Sequence, residues 1–323
     1  MAGISYPFAV GRIKGLENKL LDENVWQRLS DAKDESAMIQ VLKENNYGSA
    51  EDSGHTVNEM VASELNEVNS DIKSLSPDPV LTNLFYYSED AYNIKMLIKG
   101  ILIRKDTKSF LHTSGVIHID QLIEAISDEK YNELPSAIGK AIKAALDLED
   151  PFEISQKIDF AVLTTIRDAL KMHQNALLKQ YFNIIFDKVN ILAILRGNAL
   201  QWNSEKINLL LFDAGSLDQT EMHKAIGQTE DQLCAYLSTG PNRTVYRKIL
   251  DDYSKHHIIS EVESQLDDFA FSIIHEEKND SFGIGPIINY LLEKRREGSS
   301  LRVMAAQKNS PANNNTTEKD MLR

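Results

Sequence analysis

The chain has 323 residues, of which 42% are hydrophobic and 26% charged, and a formal net charge of −13. That excess of acid disfavours nucleic acid or an anionic membrane surface as a direct partner, because both require a basic face. A single cysteine, Cys234, excludes a disulfide framework and a cysteine-based metal cage, and fits a reducing compartment.

Gly (15) and Pro (8) are sparse, and no proline falls between Pro151 and Pro241. A span that long without breakers does not suit strands joined by tight turns, so the expected class is all-α. No apolar run approaches the roughly 20 residues of a membrane helix. The longest candidate, Tyr181 to Leu195, is interrupted by Asn183, Asp187, Lys188 and Asn190. The start, Met-Ala-Gly-Ile-Ser-Tyr-Pro, lacks the pattern of a signal peptide.

In chain order, Tyr6, Ala9, Ile13, Leu16, Leu20 and Leu21 recur at helical steps, and a second helix is expected over Glu35 to Lys43. The loop Gly48 to Thr56 is polar and acidic. Val57, Val61, Leu65, Val68, Ile72 and Leu75 mark the seam of a helix packed along another helix. From Glu44 through Asp71 there are seven acids and no Lys or Arg, ordinarily a solvated face. Ser76-Pro77-Asp78-Pro79 breaks that helix, and Val80 to Ile103, apolar nearly all round, reads as one buried helix.

A second unit follows the same order. After Gly115 comes a short helix through Leu122, Ile123 and Ile126, and then a long stripe from Ile158 to Leu170. Ala176 to Leu200 is a further all-round apolar helix. A third unit starts at Asp213-Ala-Gly215, with Ile258, Val262, Leu266, Phe269 and Ile273 as its long stripe. Its last helix, after Gly283-Ile-Gly-Pro286, carries Lys294, Arg295, Arg296, Arg302 and Lys308. The expected units are 1–106, 107–210 and 211–308, with a disordered tail over 309–323.

One motif ties these units together. Asp90-x-x-Asn93-Ile94, ending in Lys99-Gly100, returns as Asp187-x-x-Asn190-Ile191, ending in Arg196-Gly197. A worn third copy is Glu297-x-x-Ser300-Leu301. An Asp and an Asn one turn apart on a buried helix must be hydrogen-bonded there, and a folding unit has reason to recur where a catalytic pair has none. The basic residue and Gly fit either a helix terminus or a close helix contact.

No phosphate-binding loop, dinucleotide fingerprint, nucleophile elbow or zinc-protease motif is present. Asp251-Asp252 and Asp267-Asp268, with His256, His257, Glu261 and Glu263, could supply metal ligands to an all-helical enzyme, although a solvated helix face is the ordinary reading. A helical scaffold for another basic partner is a third possibility. Cys234, Trp26 and Trp202 read as packing residues.

The residues resemble those of the family of C subunits of prokaryotic V-type (A-type) ATPases, whose eukaryotic equivalent is the d subunit. The likeness rests on the opening Tyr6-x-x-Ala9-x-x-Arg12-x-x-x-Leu16-Glu17-x-x-Leu20-Leu21, on both Asp-x-x-Asn-Ile copies, and on the ending Pro286-x-x-x-Tyr290-Leu291-Leu292-x-Lys294-x-x-Glu297-x-x-x-Leu301-Arg302. Val10-Gly11 and Ser300 depart from the family's usual residues. The resemblance implies a three-fold pseudosymmetric helical funnel that transmits torque. It would sit between the central shaft of the soluble ATP-hydrolysing head and the membrane rotor ring that carries protons or sodium ions. It further implies a cytoplasmic, membrane-peripheral protein with no nucleotide, cofactor or catalytic site of its own. Lys294, Arg295, Arg296 and Arg302 are the expected partner-facing patch, complementary to the acidic stretch 257–280.

Overall fold

The computed structural model describes residues 4–48 and 56–309. Every regular element among them is helical, as the composition predicts. The first five helices are α1 (Tyr6–Leu16), α2 (Glu23–Asp31), α3 (Glu35–Glu44), α4 (Val57–Leu75) and α5 (Pro79–Asn83). There follow α6 (Tyr87–Leu102), α7 (Ile119–Ser127), α8 (Ser136–Ala145), α9 (Pro151–Met172), α10 (Ala176–Ala199) and α11 (Ser204–Leu209). The chain continues through α12 (Gln219–Ala225), α13 (Glu230–Leu237), α14 (Arg243–His256), α15 (Ile259–Glu276) and α16 (Gly285–Lys308). Of the tail expected to be disordered, only Asn309 lies within the described residues, and most of the acidic loop after Gly48 lies outside them.

Local chemistry sets where the helices begin. Asp22 and Asp34 accept the N–H of Val25 and Ala37, each at 2.8 Å, and Thr56 with Glu59 forms a reciprocal capping box at α4. Asp150 precedes Pro151 at the first turn of α9, where a missing N–H costs nothing. Asn175 caps α10 through Leu178 N.

Two compact units result, one formed by the chain up to Pro79 together with residues from Glu277 onward, the other by Val80–Glu276. In the first, α16 packs along α4, and α1 and α3 pack on α16. Leu29, Met38, Leu42, Val57, Val61 and Leu301 fill the core between them. In the second, α9 packs along α8 and α6, and α10 packs along α15. One of its cores gathers Ile191, Ile194, Leu195, Tyr246, Leu250 and Leu266.

The stretch Val80 to Ile103 is not one helix. It divides into α5 and α6 at a tight turn, Leu84–Tyr86, held by i→i+3 bonds from Leu84, Phe85 and Tyr86 to Leu81, Thr82 and Asn83. The bend delivers Phe85 onto Tyr181 and Phe182, with ring centroids 5.2 and 5.1 Å apart. Apolar periodicity alone does not show such a break, because buried residues lie on both sides of it.

The motif glycines lie inside their helices rather than at a cap. The helices run on to Leu102 and Ala199, and both end in the same Schellman geometry. The N–H of Lys105 and of Trp202 bonds the carbonyl of Gly100 and Gly197, each at 2.9 Å. The left-handed residue of each cap is Arg104 or Gln201, both at φ 53°. What Gly197 supplies is space, since a Cβ there would sit 2.5 Å from Ile207 Cγ1 on the returning chain.

Gly197→Ala is therefore expected to destabilise the fold by about 1–2 kcal/mol in urea unfolding, overpacking outweighing the helical gain of about 1 kcal/mol. Gly11→Ala, on an α1 position with nothing within 4 Å, should instead gain up to about 1 kcal/mol.

Candidate functional site

Asp90, Asn93, Asp187 and Asn190 are all fully buried on the inner faces of α6 and α10. Each Asn makes a two-way bond to the backbone of a segment that follows its own helix. Asn93 donates to His112 O and accepts from His112 N, both at 2.8 Å. Asn190 does the same with Phe212, at 3.0 and 2.7 Å. Each Asp then takes the amides that lead into a later short helix, α7 for Asp90 and α12 for Asp187. Asp90 accepts from Val116 N and Ile117 N, at 3.0 and 3.1 Å. Asp187 accepts from Ser216 N and Leu217 N, at 2.8 and 3.1 Å.

The loops must come very close to be held in this way. Gly215, at φ 118°, has no room for a Cβ because Asp187 Oδ1 occupies that place, and Gly115 stands in the same relation to Asp90. Asp187 also receives the hydroxyls of Ser216 and Tyr246, at 2.5 and 2.6 Å. Burial pushes the Asp187 carboxyl above the usual carboxylate range, against the pull of these hydrogen bonds. Burial and the neighbouring Asp187 charge push the Tyr246 phenol far up, so it stays a donor. Tyr246 lies 59 residues from its partner, and nothing in the sequence pairs them.

Glu297, on α16, is the acid of the third copy. Its Oε1 accepts from Leu21 N at 2.5 Å. Leu21, Ile117 and Leu217 each stand one residue before the N-cap of the next helix, at α2, α7 and α12. Ser300 is exposed and makes no clamp like those of Asn93 and Asn190. Lys294 does not belong to a surface patch: its side chain is 0% exposed and its ammonium lies 2.8 Å from Glu64 and 3.0 Å from Glu297. The expectation of a partner-facing Lys294 is thereby corrected, since a desolvated cation is held by the carboxylates that make its burial tolerable. Arg295 is half-buried, and Arg296 and Arg302 are exposed.

The metal-ligand candidates are dispersed among other partners. Asp267 binds Lys188 at 2.5 Å, Glu263 binds Arg196 at 2.7 Å, Asp252 binds Lys255 at 3.2 Å and His257 binds Glu230 at 2.7 Å. Asp251 accepts from the Cys234 thiol at 3.0 Å. His256 closes α14 and Glu261 lies in the first turn of α15. Among the described residues no three His, Cys, Asp or Glu side chains are grouped to hold a metal ion.

A groove of about 530 Å³ opens between α6, α9 and α10. Its floor is apolar, with Phe160, Leu163, Val189, Leu192 and Ala193. Ion pairs edge it: Lys95 with Asp159 at 2.6 Å, and the Lys188 and Arg196 pairs already described. At one end Lys206 lies 4.0 Å above the Trp202 ring. An apolar floor between charged rims suits the apolar stripe of a helix, a surface that sequence spacing gives no means of assembling.

Residues 9–318 match the family described as ATP synthase (C/AC39) subunit. The chain is 23% identical to the C subunit of the A-type ATP synthase of Pyrococcus furiosus over 320 residues, covering 93% of this chain and 85% of that one. It is 22% identical to the C subunit of the Thermococcus onnurineus A-type ATP synthase with the same coverage. With the corresponding protein of Methanocaldococcus jannaschii it shares 23% identity over 93% of this chain and 82% of the relative.

Asn190→Ala should cost about 2 kcal/mol in chemical denaturation, because it strips the N–H of buried Phe212 of its acceptor, while the Phe212 carbonyl keeps the Ala214 N–H at 2.9 Å. Tyr246→Phe, which removes one of four donors to Asp187, should cost about 2 kcal/mol in the same measurement.

Proposed function

The chain belongs to the ATP synthase (C/AC39) subunit family, and from that premise we propose that it is the non-catalytic central-stalk component of a V-type/A-type rotary ATPase. In this reading it couples the shaft of the ATP-hydrolysing head to the ion-carrying membrane ring, and holds to the membrane only through those partners. Among the described residues no helix is long and apolar enough to cross a membrane.

The observation that carries the proposal is the recurrence of one construction. An inner-facing carboxylate on α6, α10 or α16 captures the amide just before α7, α12 or α2. The long helices pair in the same sense, α9 on α6, α15 on α10 and α4 on α16. Each of these contacts joins one of the proposed like units 1–106, 107–210 and 211–308 to the next, and the last carboxylate returns to the first. A part that passes torque between two partners needs such bracing more than it needs a reactive group.

The shaft's place in this proposal is the apolar groove of α6, α9 and α10. The ring's place is the exposed apolar ends of α6 and α10. Ile103 and Leu200, at equivalent positions after the two motif copies, are each 61% exposed. Arg296 and Arg302 are proposed as further partner contacts.

Mixed with the proteins of the shaft, the chain should form a 1:1 complex in analytical ultracentrifugation. Ala193→Glu, which sets a carboxylate on the groove floor, should weaken that complex at least tenfold, about 1.4 kcal/mol, without loss of helicity. A chain that stays monomeric beside the shaft and does not restore ATP-driven ion pumping to a complex lacking it would overturn the proposal.

A further inference from the structure

The carboxylate that closes the third copy differs from the other two in its surroundings. Asp90 and Asp187 receive backbone amides, and Asp187 hydroxyls in addition, with no cation among these donors. Glu297 shares a lysine with a second acid. Lys294 Nζ lies 2.8 Å from Glu64 Oε1 and 3.0 Å from Glu297 Oε2, and donates to the carbonyl of Lys19 at 2.6 Å. The remaining carboxylate oxygens are also engaged, Glu64 Oε2 with Gly48 N at 2.9 Å and Glu297 Oε1 with Leu21 N at 2.5 Å.

The cluster therefore ties four separate pieces of chain together: residues 19–21, Gly48, α4 and α16. The side chains of Lys294, Glu64 and Glu297 are 0%, 6% and 8% exposed. Glu297 Oε2 has the ion-pair contact to Lys294 but no hydrogen bond, and the charge of the cluster is not balanced either. One ammonium faces two carboxylates, leaving one negative charge away from water, where a charge is most costly.

We propose that Glu64, Lys294 and Glu297 form a proton-binding latch, which closes the N-terminal segment onto α16 with one proton bound and loosens when that proton leaves. The groups around the cluster reinforce this. Glu67 and Asp71, on α4, add negative potential at Tyr290 on α16 and at Lys19 on the N-terminal segment. Lys19 is engaged at the surface by Glu67 at 2.6 Å. Tyr47, whose ring lies 5.0 Å from the Lys294 ammonium, stays protonated because burial and then the charges of Glu297 and Glu64 push its phenol far up, opposed by Arg302. Tyr290 is raised by burial and by the same two glutamates. Lys19, which feels Glu64 as well as Glu67, and Arg302, felt at Tyr47, are the other cations facing the cluster.

Burial is also the largest influence on Glu297, lifting its carboxyl above the usual range although Lys294 and the Leu21 amide pull it down. A carboxyl raised in the folded state holds its proton more tightly than the open chain does. The stabilisation it gives is full below the ordinary carboxylate range and is lost as pH rises through the folded value.

Hydrogen exchange read at single amides of the full chain tests the latch. Protection of Leu21 and Gly48, corrected for intrinsic rates, should rise as pH falls through the range in which the cluster takes up its proton, by at most about tenfold per pH unit. Glu297→Gln and Glu64→Gln each leave one negative charge at most for Lys294 to balance. Each should keep the two amides protected and flatten this dependence, while leaving the pH response of Leu217, on the Asp187 clamp, as in the unaltered chain. Protection at Leu21 and Gly48 that is flat with pH in the unaltered chain overturns the proposal. So does a pH response that persists in both glutamine variants.

Discussion

A carboxylate buried on a helix has few ways to remain there, and the one used here orders the rest of the chain. Asp90 and Asp187 stay because two backbone amides apiece point at them, and those amides belong to the turn that launches a later short helix. Remove the acid and two buried N–H groups lose their acceptor; remove the turn and the acid is stranded in an apolar core. The mutual dependence fixes where each long helix stops, how sharply the chain returns and which residue opens that short helix. Gly115 and Gly215 follow from the same constraint, since a side chain at either would occupy the place of the carboxylate.

The third copy keeps this logic with different chemistry. Glu297 reaches an amide that lies 276 residues earlier in the chain, and the flanking Asn has become an exposed Ser. A lysine and a second glutamate have taken over the bracing. The third copy thereby sets a second carboxylate and a lysine beside the buried acid, and the proton-binding latch draws on that difference. Charged networks of this kind give little net stability, but they penalise mismatched partners strongly, which suits a contact made between the two ends of a chain.

Much of this is legible in the order of residues alone. Helical periodicity locates α3, α4 and α15 to within a few residues and finds all but the first two turns of α9, because each buries a long apolar stripe, and α10 stands out as apolar nearly all round. The Asp-x-x-Asn-Ile recurrence marks the residues that serve as clamps. Other features are not legible. The break between α5 and α6 is hidden in continuous apolar sequence, and α12 and α13, of 7 and 8 residues, are too short to show a full stripe. Lys294 sits in a run of three basic residues and looks like surface, yet it alone of the three is turned fully inward. Glu64 and Tyr246 have no local signal at all, since their partners lie far away in sequence.

The sequence by itself determined the helical class, the recurrence of one buried acid–amide unit, and the family likeness, because these depend on spacing and residue type along one helix. The tertiary structure alone decided what each buried acid holds, why Gly100 and Gly197 must be small, and which lysine is buried. It also decided where an apolar groove is left between charged rims. Those outcomes depend on which distant segments meet, and a buried polar group takes its role from the partner that meets it there.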